Sequence, residues 1–155
     1  MEKNFFAKRA PVSRAYGPIL FMTALSGFAQ MPIFKRYYIA DIPGLGWLAD
    51  FFVTHYIHYA GAAALLFLFA YFSTAYFLAG PRRPALSASS FVRIALLAAI
   101  VFTGVFRVLK NLPDVVFSPG FTLFIDISHM ALAMFFLLAI AVFRFMRTGW
   151  LKSRG

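Results

Sequence analysis

Long apolar stretches alternate along this chain with short polar joints. Four stretches are almost wholly apolar: Tyr16–Phe34, Phe51–Leu78, Phe91–Leu109 and Phe121–Met146. About 20 such residues in a helix span a hydrocarbon core of roughly 30 Å. Backbone groups in lipid must find partners within the chain, which predicts helices rather than open strands. The joints carry residues that end or redirect helices. Gly17-Pro18 opens the first stretch, Pro32 lies near its end, and Pro43-Gly44 precedes the second. Gly80-Pro81-Arg82-Arg83-Pro84 separates the second and third, and Pro113 with Ser118-Pro119-Gly120 separates the third and fourth. The pattern predicts an all-α four-helix transmembrane bundle built as a single membrane domain, residues 1–155.

Composition sharpens this picture. Of 155 residues 62% are hydrophobic and 13% charged, too few polar groups to cover a water-soluble domain of this length. The basic start, Met1–Arg14, precedes a full span, and no small-residue cleavage site follows, so the first stretch is expected to stay as an anchor. The absence of cysteine removes disulfides, thiolate-held iron–sulfur clusters and covalent haem attachment. The net charge of +10 is explained by cations that flank spans; no basic stripe alternates with stacking aromatics outside them, so nucleic acid is not an expected partner.

The same charges predict orientation. Lys3, Lys8, Arg9, Arg14, Arg82, Arg83, Arg93, Arg144, Arg147, Lys152 and Arg154 fall on one side, eleven of the fifteen basic residues. Lys35, Arg36, Arg107 and Lys110 fall on the other, with Asp41, Asp50, Asp114 and Asp126. By the positive-inside rule the first side is cytoplasmic. Both termini are then cytoplasmic, and the outward loops Lys35–Asp50 and Lys110–Gly120 face a periplasm in a Gram-negative cell. Trp47, Tyr37, Tyr38 and Trp150 fall where interfacial aromatics belong.

Three histidines, His55, His58 and His129, lie inside the expected spans. Ionisable groups in a membrane are rare and costly, so each is a functional candidate. His58 and His129 each lie about eight residues along an inward-running span, roughly 12 Å below the outer surface at 1.5 Å per residue. Side chains on facing helices build cofactor sites in bundles in this way. The outgoing helices carry Ser26-Gly27 and Thr103-Gly104 near their outer ends. A glycine lets a flat ring or another backbone approach closely. The chain thus reads as two hairpins of one design, [Ser/Thr]-Gly on the way out and His on the way back. Gly61 and Ala62 after His58, and Ala133 after His129, leave a slot for a planar ring.

Bis-histidine haem b fits such a slot, with Lys35, Arg36, Arg107 and Lys110 placed to meet its propionates. A histidine in a span also serves as a hydrogen-bonded packing residue. His55 shares the face of His58 but lies about 4.5 Å shallower; it is the alternative ligand to His58, a quinone-pocket residue, or a group bonded to interfacial water. A zinc site would need His55, His58, His129 and Asp126 or Asp50 to converge.

A four-span chain with Ser-Gly near the outer end of helix one, His58 in helix two and His129 in helix four resembles the cytochrome b membrane subunits of bacterial respiratory oxidoreductases. The likeness is to the gamma subunit of formate dehydrogenase and its relatives among hydrogenase and thiosulfate reductase anchors, over about Tyr16 to Met146. The resemblance implies electron transfer between quinone and an extracytoplasmic iron–sulfur subunit through stacked haems b. This chain departs from it: two bis-histidine haems need four histidines, and three exist, none in the cytoplasmic half. The resemblance then implies one outer haem b held by His58 and His129, with Gly27, Gly104, Gly61, Arg36 and Lys110 around it.

The expected role is that of a non-catalytic electron-transfer subunit, multi-pass in the inner (cytoplasmic) membrane and part of a larger complex with other membrane subunits. It would pass electrons between menaquinone or ubiquinone and an extracytoplasmic iron–sulfur or multihaem cytochrome subunit. The alternative is a haem-free structural anchor or assembly subunit. A transporter would show broken helices near the bilayer midplane, and no Gly/Pro interruption falls there.

Overall fold

The computed structural model describes residues 10–31, 33–82 and 84–152. The basic residues Lys3, Lys8, Arg9, Arg83 and Arg154 lie outside them, as does Pro32. The described residues are helical but for loops and one isolated bridge. The helices are α1 (Ala10–Ala29), the short α2 (Ile33–Arg36), α3 (Phe51–Leu78), α4 (Ala88–Leu109) and α5 (Pro119–Phe145), with 3₁₀ turns at Ile39–Asp41, Gly46–Ala49 and Gly80–Arg82.

Three of them, α3, α4 and α5, are long and apolar enough to cross a membrane. The shortest has 22 residues, about 33 Å at 1.5 Å per residue, against a core of roughly 30 Å. Little of their apolar surface is covered: Phe67, Phe102 and Phe124 are each about two-thirds exposed (66%, 66% and 64%). Apolar faces left open along whole helices are suited to lipid rather than water. The protein is therefore a membrane protein.

The sequence pattern predicts four such spans, and the first is the exception. α1 starts earlier than expected and stops at Ala29, where Gln30 turns and the Met31 N–H donates to the Phe28 carbonyl at 3.0 Å. Ile33–Phe34, expected as the end of that span, belongs to the separate α2. Pro11, Arg14, Gly17 and Pro18 dilute its first half. Pro18 inside α1 also removes one helical hydrogen bond.

The other starts are fixed by caps. Asp50 accepts from the Val53 N–H at 3.1 Å, so α3 begins at Phe51, as expected. Ser87 accepts from the Ser90 N–H and starts α4 three residues before the expected Phe91. Ser118 accepts from the Phe121 N–H, and Pro119 takes the first helical position, where a missing N–H is harmless.

Contacts divide the chain into two compact units, Met1–Arg83 and Pro84–Gly155. In the first, α1 packs along α3. The closest approach is at Gly61, whose missing Cβ would collide with the Thr23 side chain and lie 3.4 Å from the Thr23 Cα. In the second, α4 packs along α5. Past α5 the chain returns across the start of α4: the Ser87 N–H donates to the Trp150 carbonyl at 3.1 Å, and the Lys152 N–H to the Ala85 carbonyl at 2.8 Å. Ser87, Ser89 and Ser90 donate their hydroxyls to the Gly149 and Trp150 carbonyls. Arg93 is buried there, donating to the Thr148 carbonyl at 3.0 Å, with its guanidinium 5.0 Å from the Phe143 ring and 4.9 Å from the Trp150 ring.

Candidate functional site

Each unit holds a histidine against an oxygen of the neighbouring helix, His58 in the first and His129 in the second. In the first, Nδ1 of His58 lies 2.9 Å from the Thr23 carbonyl oxygen on α1. A carbonyl only accepts, so Nδ1 carries the proton, and in the neutral ring Nε2 carries the lone pair. Gly27, one turn further along α1, makes room: a Cβ there would sit 2.9 Å from His58 Cε1 and 3.0 Å from Nδ1. Ser26 beside it is fully buried and donates to the Met22 and Thr23 carbonyls, returning its hydroxyl to its own helix.

In the second unit, Nδ1 of His129 lies 3.0 Å from the Thr103 hydroxyl on α4. That hydroxyl also lies 3.0 Å from the Ala99 and Ile100 carbonyls. They can only accept its proton, which leaves the Thr103 oxygen to accept from Nδ1–H. His129 is thereby held in the same tautomer as His58. Gly104 follows, and a Cβ there would lie 3.3 Å from His129 Cε1. The volume that the sequence reserves beside Gly27 and Gly104 is thus occupied, in each unit, by the imidazole itself. Gly61 likewise opens toward Thr23, so it brings α1 and α3 together; the expectation placed it beside a ring.

His55 has a different setting. It stacks on Phe51 at 5.4 Å and meets Tyr59 at 4.2 Å, in a ladder of residues four apart. Its Nδ1 is buried and meets no hydrogen-bond partner among the described residues. At Nδ1, among the described residues, His55 therefore lacks the oxygen acceptor that orients the other two.

The cations expected near propionates divide. Lys110 donates to both Asp126 carboxylate oxygens at 2.7 Å, and Arg107 Nε lies 3.1 Å from one of them. Asp126 is three residues before His129, so this ion pair and the Thr103–His129 bond are rungs of one α4–α5 contact. Arg36 is exposed at the end of α2, and Lys35 borders a cavity. Among the described residues no group of three or more His, Cys, Asp or Glu side chains is placed to hold a metal ion.

Sequence reasoning missed several of these partners. Thr103 is visible in its Thr-Gly pair, but the expected close approach there needs the glycine alone. Asp126 shares a helix face with His129 by spacing. Nothing in the sequence signals that the Thr23 carbonyl is an acceptor or that Arg93 is enclosed. Comparison with protein-family models, curated proteins and solved structures finds no match to this chain.

Proposed function

We propose that this chain is the membrane-anchoring cytochrome b subunit of a respiratory complex, with His58 and His129 as the two axial ligands of one haem b. One observation carries the reading: two hairpins each present a histidine whose Nδ1–H is bound to an oxygen of the neighbouring helix beside a glycine. Metal-bound histidine almost always donates its other ring N–H in this way, which fixes the tautomer and raises ligand basicity. The Nε2 lone pair is then the donor a haem iron takes. His55, without such an acceptor, suits ligation less well than His58.

When bound, the haem supplies one-electron chemistry. The chain's residues orient the imidazoles, and their low-polarity setting keeps water from the ligand bonds. Lys35 and Arg36 are the cations left to meet propionates, since Lys110 and Arg107 already share Asp126. The chain would cross the inner membrane four times with both termini cytoplasmic. α1, less apolar than the rest, would cross beside α3, to which it is packed. Electrons would pass between menaquinone or ubiquinone and an extracytoplasmic iron–sulfur or multihaem cytochrome subunit, with other membrane subunits and lipid completing the complex.

The test is an optical spectrum of the purified, detergent-solubilised protein. A low-spin b-type band is expected, lost in His58→Ala and in His129→Ala and kept in His55→Ala. Loss in His55→Ala with retention in His58→Ala would transfer the ligand role to His55. A protein that takes up no haem would be the haem-free anchor.

A further inference from the structure

α5 ends in a turn that glycine would close more easily. The Arg147 N–H donates to the Arg144 carbonyl at 3.1 Å, and the Thr148 N–H to the Phe143 carbonyl at 2.9 Å. This pair of bonds is the Schellman ending, in which the first residue past the helix takes a left-handed backbone and is usually glycine. Here it is Arg147, at φ 53°. An L side chain in that conformation is strained, and strain that is kept points to a use for the side chain. Arg144 and Arg147 are both exposed, and neither guanidinium meets an acceptor among the described residues. The second unit has no acid to offer them. Its acids are Asp114, which precedes α5, and Asp126, about five helical turns or 27 Å before Arg144.

Between the two cations stand Phe145 and Met146, 91% and 60% exposed. Depth decides what meets them. α5 has 27 residues, about 40 Å of helix, which matches a bilayer with its headgroup layers rather than the hydrocarbon core alone. The end of α5 thus lies at headgroup level, where apolar side chains enter the acyl boundary and cations meet phosphates. The turn is also held in place, since the Thr148 carbonyl receives Arg93. We propose that this turn binds the headgroup of an anionic phospholipid, its phosphate shared by Arg144 and Arg147 and its acyl chains beside Phe145 and Met146. Arginine suits a phosphate through its forked donors. A free phosphate would use the two arginines but gain nothing from the apolar pair. The site stands on the membrane assignment and is independent of haem.

The test uses the purified full chain, stripped of lipid in detergent and titrated with dioleoylphosphatidylglycerol or dioleoylphosphatidylcholine, with bound lipid counted by native mass spectrometry. Phosphatidylglycerol should be retained in preference to phosphatidylcholine. Arg144→Gln and Arg147→Gln should each weaken its binding about fivefold, the effect of one arginine near an anionic lipid surface. Phe145→Ser should weaken it as well, and excess inorganic phosphate should leave it in place. Arg147→Gly separates binding from folding. It should lose lipid as Arg147→Gln does, yet unfold at the same or a higher temperature in lipid-free detergent, because glycine relaxes the turn. Equal retention of the two lipids by the wild type, or unchanged binding in both arginine variants, overturns the site. Displacement by inorganic phosphate overturns it in favour of a free anion. A lower unfolding temperature in Arg147→Gly also overturns it, since Arg147 would then serve the fold.

Discussion

Two threonines occupy matching places beside the two histidines, yet they serve by different atoms. Thr103 gives its hydroxyl to His129, whereas Thr23 gives His58 its backbone carbonyl. Thr103→Val should therefore lower haem affinity, about 10–100-fold as for other partners of metal-bound histidine. Thr23→Val should leave it nearly unchanged, because no side chain can be removed from a carbonyl. Titration of haem into the haem-free variants, followed by absorbance, checks the contrast. The glycines differ as well. An added Cβ at Gly27 meets the His58 ring at 2.9 Å, while at Gly104 the nearest atom is 3.3 Å away. Gly27→Ala should displace its histidine and lose most of the haem, and Gly104→Ala should lose little; haem per protein after identical purification separates the two. The sequence made the histidines and both glycines legible, through depth and a repeated Ser/Thr-Gly signal. It could not reveal which atoms the imidazoles bind, since that depends on the rotation of one helix against its neighbour.

Helix pairing depends on a few close approaches. Gly61 of α3 sits against Thr23 of α1, whose branched side chain leaves no room for a methyl group. Gly61→Ala should push α1 away from α3 and destabilise the first unit by about 1–3 kcal/mol, the usual cost of overpacking. Thermal unfolding of the haem-free protein in detergent reads this directly, and an unchanged midpoint would remove Gly61 from the contact. Of the three capped starts, one falls at its expected place: Asp50 opens α3 at Phe51, while α4 and α5 begin three and two residues early, at Ala88 and Pro119. At α4 the reason is that Ser87, Ala88, Ser89 and Ser90 look like loop by composition. In the structure those serines turn their hydroxyls inward to the returning chain, so a polar run continues as helix. At α1 the apolar run outlasted the helix, because hydropathy counts Ile33 and Phe34 but takes no account of the turn at Gln30.

At the scale of the molecule, both units leave apolar side chains open along their helices, and that exposure carries the membrane assignment. The proposed orientation rests on charge and is testable without background, since the chain has no cysteine. Arg82→Cys should react with an impermeant maleimide only from the cytoplasmic side, and Asp114→Cys only from the other. Labelling of position 82 from outside alone would invert the topology. A charge count is a sum over loops; it could not announce that Arg93, expected among the cytoplasmic cations, spends its charge on two aromatic rings and a carbonyl. That enclosure has a practical consequence for anyone tagging this protein. A reporter spliced in directly after Phe145 would strip away the Trp150 ring and the carbonyls that receive Arg93 and the serines. It would report on a damaged second hairpin, and a silent signal would be misread as sidedness. Fusions should therefore be joined beyond Lys152, where the returning chain has already made its last bond to Ala85.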